Sequence, residues 1–345
     1  MTRSLVTGGL GFLGSHLVDA LLRDGVEVTI VDDQSSSVVD AAAYARRCRV
    51  EIGDVSACSF DAPSFDQIYH LAERAGPAGI LPYAGTLGRR SMLAMENVLR
   101  LATPGRTRLV YVSSSEVYGR PGTFTEAEHN VVPSRCTVRL EYALAKMLGE
   151  ATALNASRMR AIEVNVVRPF NIAGPRQSSA GGFVLPRFFE AAMSGRPLTV
   201  FDDGRQRRSL THVLDTVDSL IAVMRASAHG LVLNSGNPAN AVSILDLARE
   251  VNRICGSRSP IVFVDPRTIY GPLYSEAFDK APDIGRITAE VGWTPRRDLA
   301  QVLRDTFEYY ARKEHRSRAN GSLHLPAAAA ASPSPSLTLQ GPDTG

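Results

Sequence analysis

Apolar and polar positions follow two regular patterns along the first half of the chain. Short apolar runs predict strands at Arg3–Thr7, Glu27–Asp32, Arg49–Ile52, Gln67–Leu71, Arg108–Ser113 and Ala161–Arg168. Between most of these runs the apolar residues recur at helical spacing, notably over Leu87–Leu101 and Val138–Arg158. Repeated strand–helix alternation is typical of a parallel sheet covered by helices on both faces. We therefore predict an α/β fold with a Rossmann-type, doubly wound parallel sheet.

The pattern changes at about residue 175, where apolar runs become shorter and Gly, Pro and Arg more frequent. Helical spacing persists at Val184–Met193, Asp215–Arg225, Ile244–Ile254 and Leu299–Ala311. We therefore divide the chain into a sheet domain at 1–174 and a smaller substrate-binding region at 175–315. Some segments of the second region are expected to return to the core of the first. Residues 316–345 have low complexity and are predicted to form a disordered tail.

A glycine-rich turn joins the first predicted strand to the first helix. The spacing Gly9-x-Gly11-x-x-Gly14 fits the dinucleotide-binding fingerprint. The spacing that starts from Gly8 and also uses Gly11 and Gly14 fits it too. Such glycines let backbone N–H groups approach a pyrophosphate, which the N-terminus of the helix also attracts. The turn therefore predicts a dinucleotide site in the first domain.

An acidic residue ends the second predicted strand and completes the fingerprint. Asp32 follows the glycine turn by about 20 residues, the distance at which a carboxylate accepts hydrogen bonds from the adenosine ribose. Its charge would repel a 2′-phosphate, so NAD is favoured over NADP. Asp33 is a second candidate for the same contact.

Composition narrows the range of partners. The chain has 345 residues, 44% of them hydrophobic, and a net charge of only +3, which argues against a nucleic-acid or membrane partner. No apolar run is long enough to span a membrane. Cys48, Cys58, Cys136 and Cys255 have no metal-ligand or disulfide spacing. We therefore predict reduced thiols, no metal site and a cytoplasmic location.

Tyr142 and Lys146 lie four residues apart on a predicted helix and therefore share one face. A phenol has a pKa of about 10 and is a poor base at neutral pH. A neighbouring ammonium and the positive nicotinamide ring would stabilise the phenolate and lower that pKa. Tyr142 is therefore a candidate base, which would take a proton from a substrate hydroxyl while hydride leaves the same carbon.

A series of motifs resembles the extended short-chain dehydrogenase/reductases, specifically the NAD-dependent nucleotide-sugar epimerase/dehydratase family, over about residues 3–312. They are T-G-G-L-G-F-L-G at 7–14, H-L-A at 70–72, S-S-S-E-V-Y-G at 113–119, Y-A-L-A-K at 142–146, V-R-P-F-N-I-A-G-P-R at 167–176, R-R-S-L-T-H-V at 207–213 and P-D-I at 282–284. All stand in the order that the family has. The resemblance implies an NAD-binding domain at 1–174 that carries Ser114, Tyr142 and Lys146 as a catalytic trio.

The resemblance also implies the remaining site residues. Those expected to contact NAD are Gly8, Gly11, Phe12, Leu13, Gly14, Asp32, Asp33, Asp54, Val55, Leu71, Ala72, Tyr142 and Lys146. Those expected to hold a UDP-sugar are Ser115, Asn171, Arg176, Arg208 and Lys280. A homodimer built from the helices at 87–101 and 138–158 is implied in the same way.

The residues after Ser114 indicate which reaction of the family to expect. Its 4,6-dehydratases use Thr-Asp-Glu here to expel a hydroxyl, and the Ser115 hydroxyl is far too weak an acid to replace that Asp. Simple 4-epimerases usually lack the glutamate that this chain has as Glu116. Ser-Ser-Glu resembles the UDP-glucuronate decarboxylases, in which oxidation at C4 makes a β-keto acid that loses carbon dioxide. A 4-epimerase, a 4,6-dehydratase and a catalytically silent NAD-binding protein are the alternatives.

In those decarboxylases a cation binds the substrate carboxylate, and the resemblance implies that role for Arg208, with Arg207 as a neighbour. Three roles stay open for the catalytic residue Glu116: proton relay, water positioning, or disfavouring the bound carboxylate. The product is UDP-xylose if the keto group is reduced again, and the 4-keto pentose if the keto sugar leaves first.

Four positions depart from the family pattern. Ser91 stands where the family usually has Asn, and Lys280 where it favours Arg. Glu73 and Arg74 follow the H-L-A motif, and charged residues are unusual so close to the nicotinamide. His16 and His70 match structural positions of the family, so we assign them no chemical role.

Overall fold

A seven-stranded parallel sheet forms the centre of the computed structural model, which describes residues 1–57, 64–127, 136–277 and 279–319. In chain order the strands are β1 (Arg3–Thr7), β2 (Glu27–Asp32), β3 (Arg49–Ile52), β4 (Gln67–His70), β5 (Arg108–Val112), β6 (Gly122–Phe124), β7 (Glu163–Pro169), β8 (Ile172–Ala173), β9 (Leu198–Phe201), β10 (Arg207–Ser209), β11 (Thr211–His212), β12 (Val232–Ser235), β13 (Ala241–Ser243), β14 (Ile261–Val264) and β15 (Lys280–Pro282).

The α-helices lie between these strands and after them. They are α1 (Phe12–Arg23), α2 (Ala41–Ala45), α3 (Pro77–Ile80), α4 (Leu87–Leu101), α5 (Val138–Arg160), α6 (Val184–Met193), α7 (Val213–Arg225), α8 (Ile244–Cys255), α9 (Arg267–Tyr270), α10 (Gly285–Val291) and α11 (Leu299–Ala319). Short 3-10 turns occur at Leu81–Tyr83, Ser115–Tyr118, Ser179–Gly181 and Pro238–Asn240. Across the described ranges, none of these helices has the length and apolar character needed to cross a bilayer.

The strand order of the central sheet is β12-β7-β5-β4-β1-β2-β3, and every neighbouring pair is parallel. The chain proceeds outward from β1 to β3 and then crosses over to β4 on the other side of β1. This reversal opens a crevice at the carboxyl ends of β1 and β4, where α/β sheets bind their ligands. The predicted Rossmann-type, doubly wound fold is confirmed.

In the central sheet three of the six predicted strands have the predicted bounds, three differ by one or two residues, and one strand was missed. Ala161 has a φ of +52° and ends α5, so β7 begins at Glu163 rather than at Ala161. The missed strand, Val232–Ser235, pairs with Val166–Pro169 at the edge of the sheet. Its four residues include only two large apolar side chains, which is too short a run to be recognised as a strand.

Helices cover both faces of the sheet, as the doubly wound fold requires. On one face, Leu17 of α1 and Leu220 of α7 belong to one buried apolar core. On the other face, Val98 of α4 and Ala153 of α5 pack with Ile68 of β4 in a second core. Both cores exclude water from side chains that contribute the main favourable free energy of folding.

The region after residue 175 builds a third apolar core and also returns to the main sheet. Helices α6, α8 and α11 pack around strand β9, whereas α7 and β12 join the layers described above. Residues 1–310 form one compact unit, and the boundary at residues 174 and 175 stays a prediction. Of the predicted tail at 316–345, residues 316–319 belong to α11, and residues 320–345 lie outside the described residues.

A buried ion pair fixes α5 against the ends of β5 and β7. The Arg168 guanidinium donates to both carboxylate oxygens of Glu150, at 2.9 and 2.6 Å, and both side chains are less than a tenth exposed. The Ser113 hydroxyl also donates to Glu150, at 2.5 Å. Two-point geometry and a third donor offset the cost of burying both charges. The pair therefore ties the helix to two strand ends.

We expect the substitution Glu150→Gln to lower the free energy of unfolding by about 3–5 kcal/mol, because it leaves the Arg168 guanidinium buried without a counter-charge. The apolar double variant Glu150→Leu/Arg168→Met should recover most of that loss. Urea unfolding followed by circular dichroism measures both. Glu250→Gln, which breaks an exposed pair with Arg253, is the control and should change little. A loss for Glu150→Gln no larger than the control's contradicts the assignment.

Candidate active site

A cleft of about 780 Å³ opens at the carboxyl ends of the central strands. It is lined by the turn after β1, the loops after β2, β4 and β5, the segment after β7, and residues of α5. The residues predicted for NAD and for the sugar that line it are Gly8, Gly11, Phe12, Leu13, Gly14, Asp32, Asp33, Asp54, Val55, Leu71, Ala72, Ser114, Ser115, Glu116, Tyr142, Lys146, Asn171 and Arg208. Arg176 and Lys280 are the two predicted residues that do not line it.

The glycine turn has the shape that a pyrophosphate site needs. Gly8 has a φ of +72°, and a Cβ on Gly14 would collide with the Gly8 carbonyl oxygen. Helix α1 begins at Phe12, and its N-cap residue, Gly11, has no side chain that could accept hydrogen bonds from the first N–H groups. These N–H groups are therefore open to a ligand in the cleft. Unpaired N–H groups at a helix N-terminus bind anions. These residues fit the dinucleotide that the sequence predicts.

Asp32, which ends β2, and Asp33, which follows it, have different partners. Asp32 accepts hydrogen bonds from the backbone N–H of Leu10 at 2.9 Å and of Gln34 at 2.8 Å. Asp33 instead lies 2.7 Å from the Arg74 guanidinium, which reaches across from the loop after β4. Asp32 thus braces the glycine turn, while Asp33 pairs with a cation at the same end of the cleft.

Lys146 is buried at the floor of the cleft. Its ammonium donates to the carbonyl of Val112 at 2.9 Å and lies 3.6 Å from Glu73 Oε2. Burial lowers the pKa of Lys146, and the nearby Glu73 carboxylate counteracts part of that shift. The lysine charge is therefore already engaged by Glu73 and by the end of β5.

The protein surroundings raise the pKa of Tyr142, whereas the lowering expected from Lys146 together with the nicotinamide ring stays a prediction. Burial is the main cause and the Glu73 carboxylate the next, whereas a hydrogen bond with Ser114 acts in the opposite direction. The Lys146 nitrogen lies 5.9 Å from the centre of the Tyr142 ring, and its charge is offset by Glu73. The positive nicotinamide ring is the other group that we expect to stabilise the Tyr142 phenolate.

Glu116 lies between two cations beside Tyr142. Its Oε1 is 2.9 Å from the Lys280 ammonium and 3.2 Å from the Arg139 guanidinium. Burial would raise the pKa of Glu116, but the two cations outweigh it and lower the pKa to about 2. At neutral pH Glu116 is therefore ionised and has no proton to donate. Lys280 faces the carboxylate outside hydrogen-bond geometry, so their contact is an ion pair.

Arg208 is held by acidic residues of the segment before β15. One terminal nitrogen of its guanidinium donates to Glu276 at 2.6 Å and the other to Asp279 at 3.3 Å. Arg208 is less than a tenth exposed, although it lines the cleft. A carboxylate that enters this end of the cleft must share Arg208 with Glu276 or displace it.

The structure places Arg176 and Lys280 differently from the sequence prediction. Arg176 points away from the cleft and pairs with Asp19 of α1 at 2.8 Å, because its φ of +68° turns the chain toward that helix. Lys280 is buried behind Glu116 and acts on the cleft through that carboxylate. Arg176 thus contacts α1, and its predicted role in binding the sugar stays a prediction.

The cleft also has lining residues outside the predicted set, including four charged or polar residues that lie near the predicted catalytic residues or Arg208. These four are Glu73, Ser91, Arg139 and Glu276. Arg139 had a signal, because it precedes Tyr142 by three residues on α5 and so shares its face. Glu276 lies far along the chain from Arg208 in a segment without periodicity, so its contact had no signal in the sequence.

Comparisons with known proteins agree with this geometry. The profile of the NAD dependent epimerase/dehydratase family matches residues 4–236. The chain is 31% identical to the UDP-N-acetyl-alpha-D-glucosaminuronate decarboxylase of Bacillus cytotoxicus over 91% of this chain and 99% of that protein. It is 32% identical to UDP-glucuronic acid decarboxylase 1 of Xenopus tropicalis over 92% of this chain and 74% of that protein. The solved structure of MoeE5 in complex with UDP-glucuronic acid and NAD is similar at a TM-score of 0.74 and 25% identity, over 90% of this chain and 99% of that one.

We expect Glu116→Gln to destabilise the protein at pH 7 and to flatten its acid unfolding curve. The folded-state pKa of Glu116, about 2, lies below that of the unfolded chain, so Glu116 stabilises the fold above about pH 4.3. That contribution is lost as the pH falls from there toward 2. Urea unfolding at several pH values measures the slope. If Glu116→Gln has the same slope as wild type below pH 4.3, the low pKa is refuted.

Proposed function

Because the chain belongs to the NAD dependent epimerase/dehydratase family, we propose that it is an NAD-dependent UDP-glucuronate decarboxylase. The carrying observation is that one cleft joins the NAD cradle and Tyr142 to Arg139 and Arg208, which form a cation cluster with Lys280, buried behind Glu116. A sugar whose C4 faces Tyr142 has its C6 carboxylate on C5, the ring carbon next to C4. Arg208 would bind that carboxylate in exchange for Glu276.

The residues divide the reaction between them. Ser114 orients the C4 hydroxyl, and the Tyr142 oxygen takes its proton. NAD, which the glycine turn, Asp32 and Lys146 would hold, would supply the acceptor for the C4 hydride and the donor for its return. The C4 ketone makes a β-keto acid, whose C5–C6 bond breaks to release carbon dioxide while its electron pair forms an enolate with C4. Protonation at C5 and return of hydride to C4 give UDP-xylose, and early release gives UDP-4-keto-pentose.

The state of Glu116 supports decarboxylation over dehydration. Expelling a hydroxyl from C6 needs a general acid, whereas Ser115 is a weak acid and Glu116 is ionised at neutral pH. Loss of carbon dioxide needs no proton donor at the leaving group. The ionised Glu116 instead opposes a second carboxylate nearby, which favours its departure as neutral carbon dioxide. Of the roles left open for Glu116, we propose this one.

UDP-N-acetylglucosaminuronate is the second candidate substrate. The Bacillus cytotoxicus relative is named for it and matches this chain over nearly the whole length of both proteins. The two sugars differ at C2 and share the C4 hydroxyl and C6 carboxylate, so the steps above apply to both. Which of the two substrates is used depends on the residues that face C2 of the sugar. The reaction type is the same for both.

We further propose that the protein works as a cytoplasmic homodimer. Leu144 and Leu148 of α5 and Leu93 of α4 are 39%, 50% and 37% exposed on neighbouring helices. Leu144 and Leu148 lie four residues apart and share one face of α5. Apolar side chains of this size gain free energy when a second copy covers them. A reducing compartment fits the free cysteines Cys48, Cys136 and Cys255; Cys58 lies outside the described residues.

We expect the purified protein with NAD⁺ to convert UDP-glucuronate, or its 2-acetamido analogue, to a product that has lost the mass of carbon dioxide. Mass spectrometry identifies the product, and NADH absorbance separates UDP-pentose from the keto sugar. Tyr142→Phe should lower kcat by roughly 100- to 10,000-fold while NAD⁺ still binds. Asp246→Asn, an exposed substitution outside the cleft, should retain activity. A new UDP-hexuronate isomer of unchanged mass would instead identify a 4-epimerase.

We expect wild-type protein to have the mass of a dimer in solution and Leu144→Arg/Leu148→Arg to have the mass of a monomer. Charged side chains in the proposed interface would have to be buried without partners. Size-exclusion chromatography with light scattering measures the mass. Leu273→Arg, which replaces an equally exposed leucine outside α4 and α5, is the control and should remain a dimer. A monomeric wild type refutes this interface.

A further inference from the structure

The loop after β4 places two opposite charges at different ends of the cleft. Arg74 reaches Asp33 at 2.7 Å, beside the glycine turn. Its neighbour Glu73 points to the catalytic end, where it lies 3.6 Å from the Lys146 ammonium. Glu73 lines the cleft with about a tenth of its side chain exposed. Residues 73 and 74 therefore carry opposite charges that act at opposite ends of the cleft.

Glu73 is held in place by contacts from two other elements. The Ser91 hydroxyl of α4 donates to Glu73 Oε2 at 2.8 Å. Just before Glu73, the backbone N–H groups of Leu71 and Ala72 donate to the Thr7 hydroxyl at 3.2 and 3.1 Å. The backbone and the carboxylate are therefore both fixed. A carboxylate held this way at the cleft floor is a built feature of the site.

Among the described residues, Glu73 is the carboxylate that balances Lys146. Glu150, a buried acid of α5, is already paired with Arg168. Glu116 is paired with Arg139 and Lys280. The Lys146 ammonium and the Glu73 carboxylate together have a net charge of zero. Without Glu73, the Lys146 ammonium would leave a net positive charge at the catalytic end of the cleft.

This balance matters because the nicotinamide ring of NAD⁺ carries a positive charge and that of NADH does not. An unbalanced Lys146 would repel the oxidised ring and leave the reduced ring nearly unaffected. We propose that Glu73 is a specificity-determining residue that makes the cleft bind NAD⁺ in preference to NADH, with Ser91 as its positioning residue. The inference rests on the part of the proposed function that puts the nicotinamide ribose at Lys146.

The same preference acts on the bound complex. Stabilising NAD⁺ over NADH biases the bound equilibrium toward hydride return to C4, and so toward a reduced sugar. Glu73 would thus favour the regeneration of NAD⁺ without taking part in the reaction at C6 of the sugar.

The test measures the Kd of NAD⁺ and of NADH without any sugar, using NADH fluorescence and competition by NAD⁺. Glu73→Gln should raise the ratio of the NAD⁺ Kd to the NADH Kd by about three- to tenfold, because it removes one charge of the pair and keeps the shape. Glu73→Ser, which is shorter and also uncharged, should shift the ratio in the same direction. Ser91→Ala keeps the Glu73 charge, so its ratio should change less than that of Glu73→Gln.

Asp33→Asn is the matched control, because it removes a carboxylate from the adenosine end, which is identical in NAD⁺ and NADH. Its two Kd values should change by the same factor, leaving the ratio as in wild type. If folded Glu73→Gln and Glu73→Ser both keep the wild-type ratio, the proposal is wrong. Because no sugar is present, this result is independent of whether the enzyme decarboxylates UDP-glucuronate.

Discussion

Close docking of α5 onto β5 and β7 is the contact on which the catalytic arrangement depends. A side chain at Gly149 would collide with the Tyr111 hydroxyl, so only a glycine lets the helix come this near to the sheet. The next residue, Glu150, is locked to Arg168 by two hydrogen bonds. Lys146 lies one helical turn before this anchor and Tyr142 two turns before it. Tyr142 and Lys146, the proposed base and its lysine, are therefore placed by a packing constraint centred on the following turn of the helix.

Once α5 is placed, the cost of burying charge organises the rest of the cleft. Each buried ion brought there by the fold has a counter-ion from a different element: Glu116 has Lys280 from β15, and Lys146 has Glu73 from the loop after β4. An unpaired charge at such depth would shift its pKa toward the neutral form. Pairing lowers the pKa of Glu116 to about 2 and counteracts the lowering of the Lys146 pKa by burial. At both ends of the cleft, at Lys146 and at Arg208, the buried cations are thus matched by carboxylates.

The sequence predicts what depends on local pattern and misses what depends on long-range pairing. Strand and helix periodicity, the glycine turn and the Tyr142–Lys146 spacing are local, and the sheet and cleft follow from them. Burial and, after it, the Glu73 carboxylate raise the pKa of Tyr142, and Glu73 comes from the end of a different strand. Arg176 likewise pairs with Asp19 of α1, which lies far from it in sequence. Periodicity contains no information about such pairs.

An ionised glutamate beside a cationic cluster constrains which leaving group the site can serve. Hydroxide is a poor leaving group without a proton, and the cations that hold the Glu116 pKa at about 2 remove the nearest proton source. Carbon dioxide leaves as a neutral molecule, and its departure removes a negative charge from the vicinity of Glu116. The same ion pairs that stabilise the fold therefore disfavour elimination and favour decarboxylation. Selectivity between these reactions then arises from the charge state of one residue, without a change in the oxidation step at C4 that precedes both.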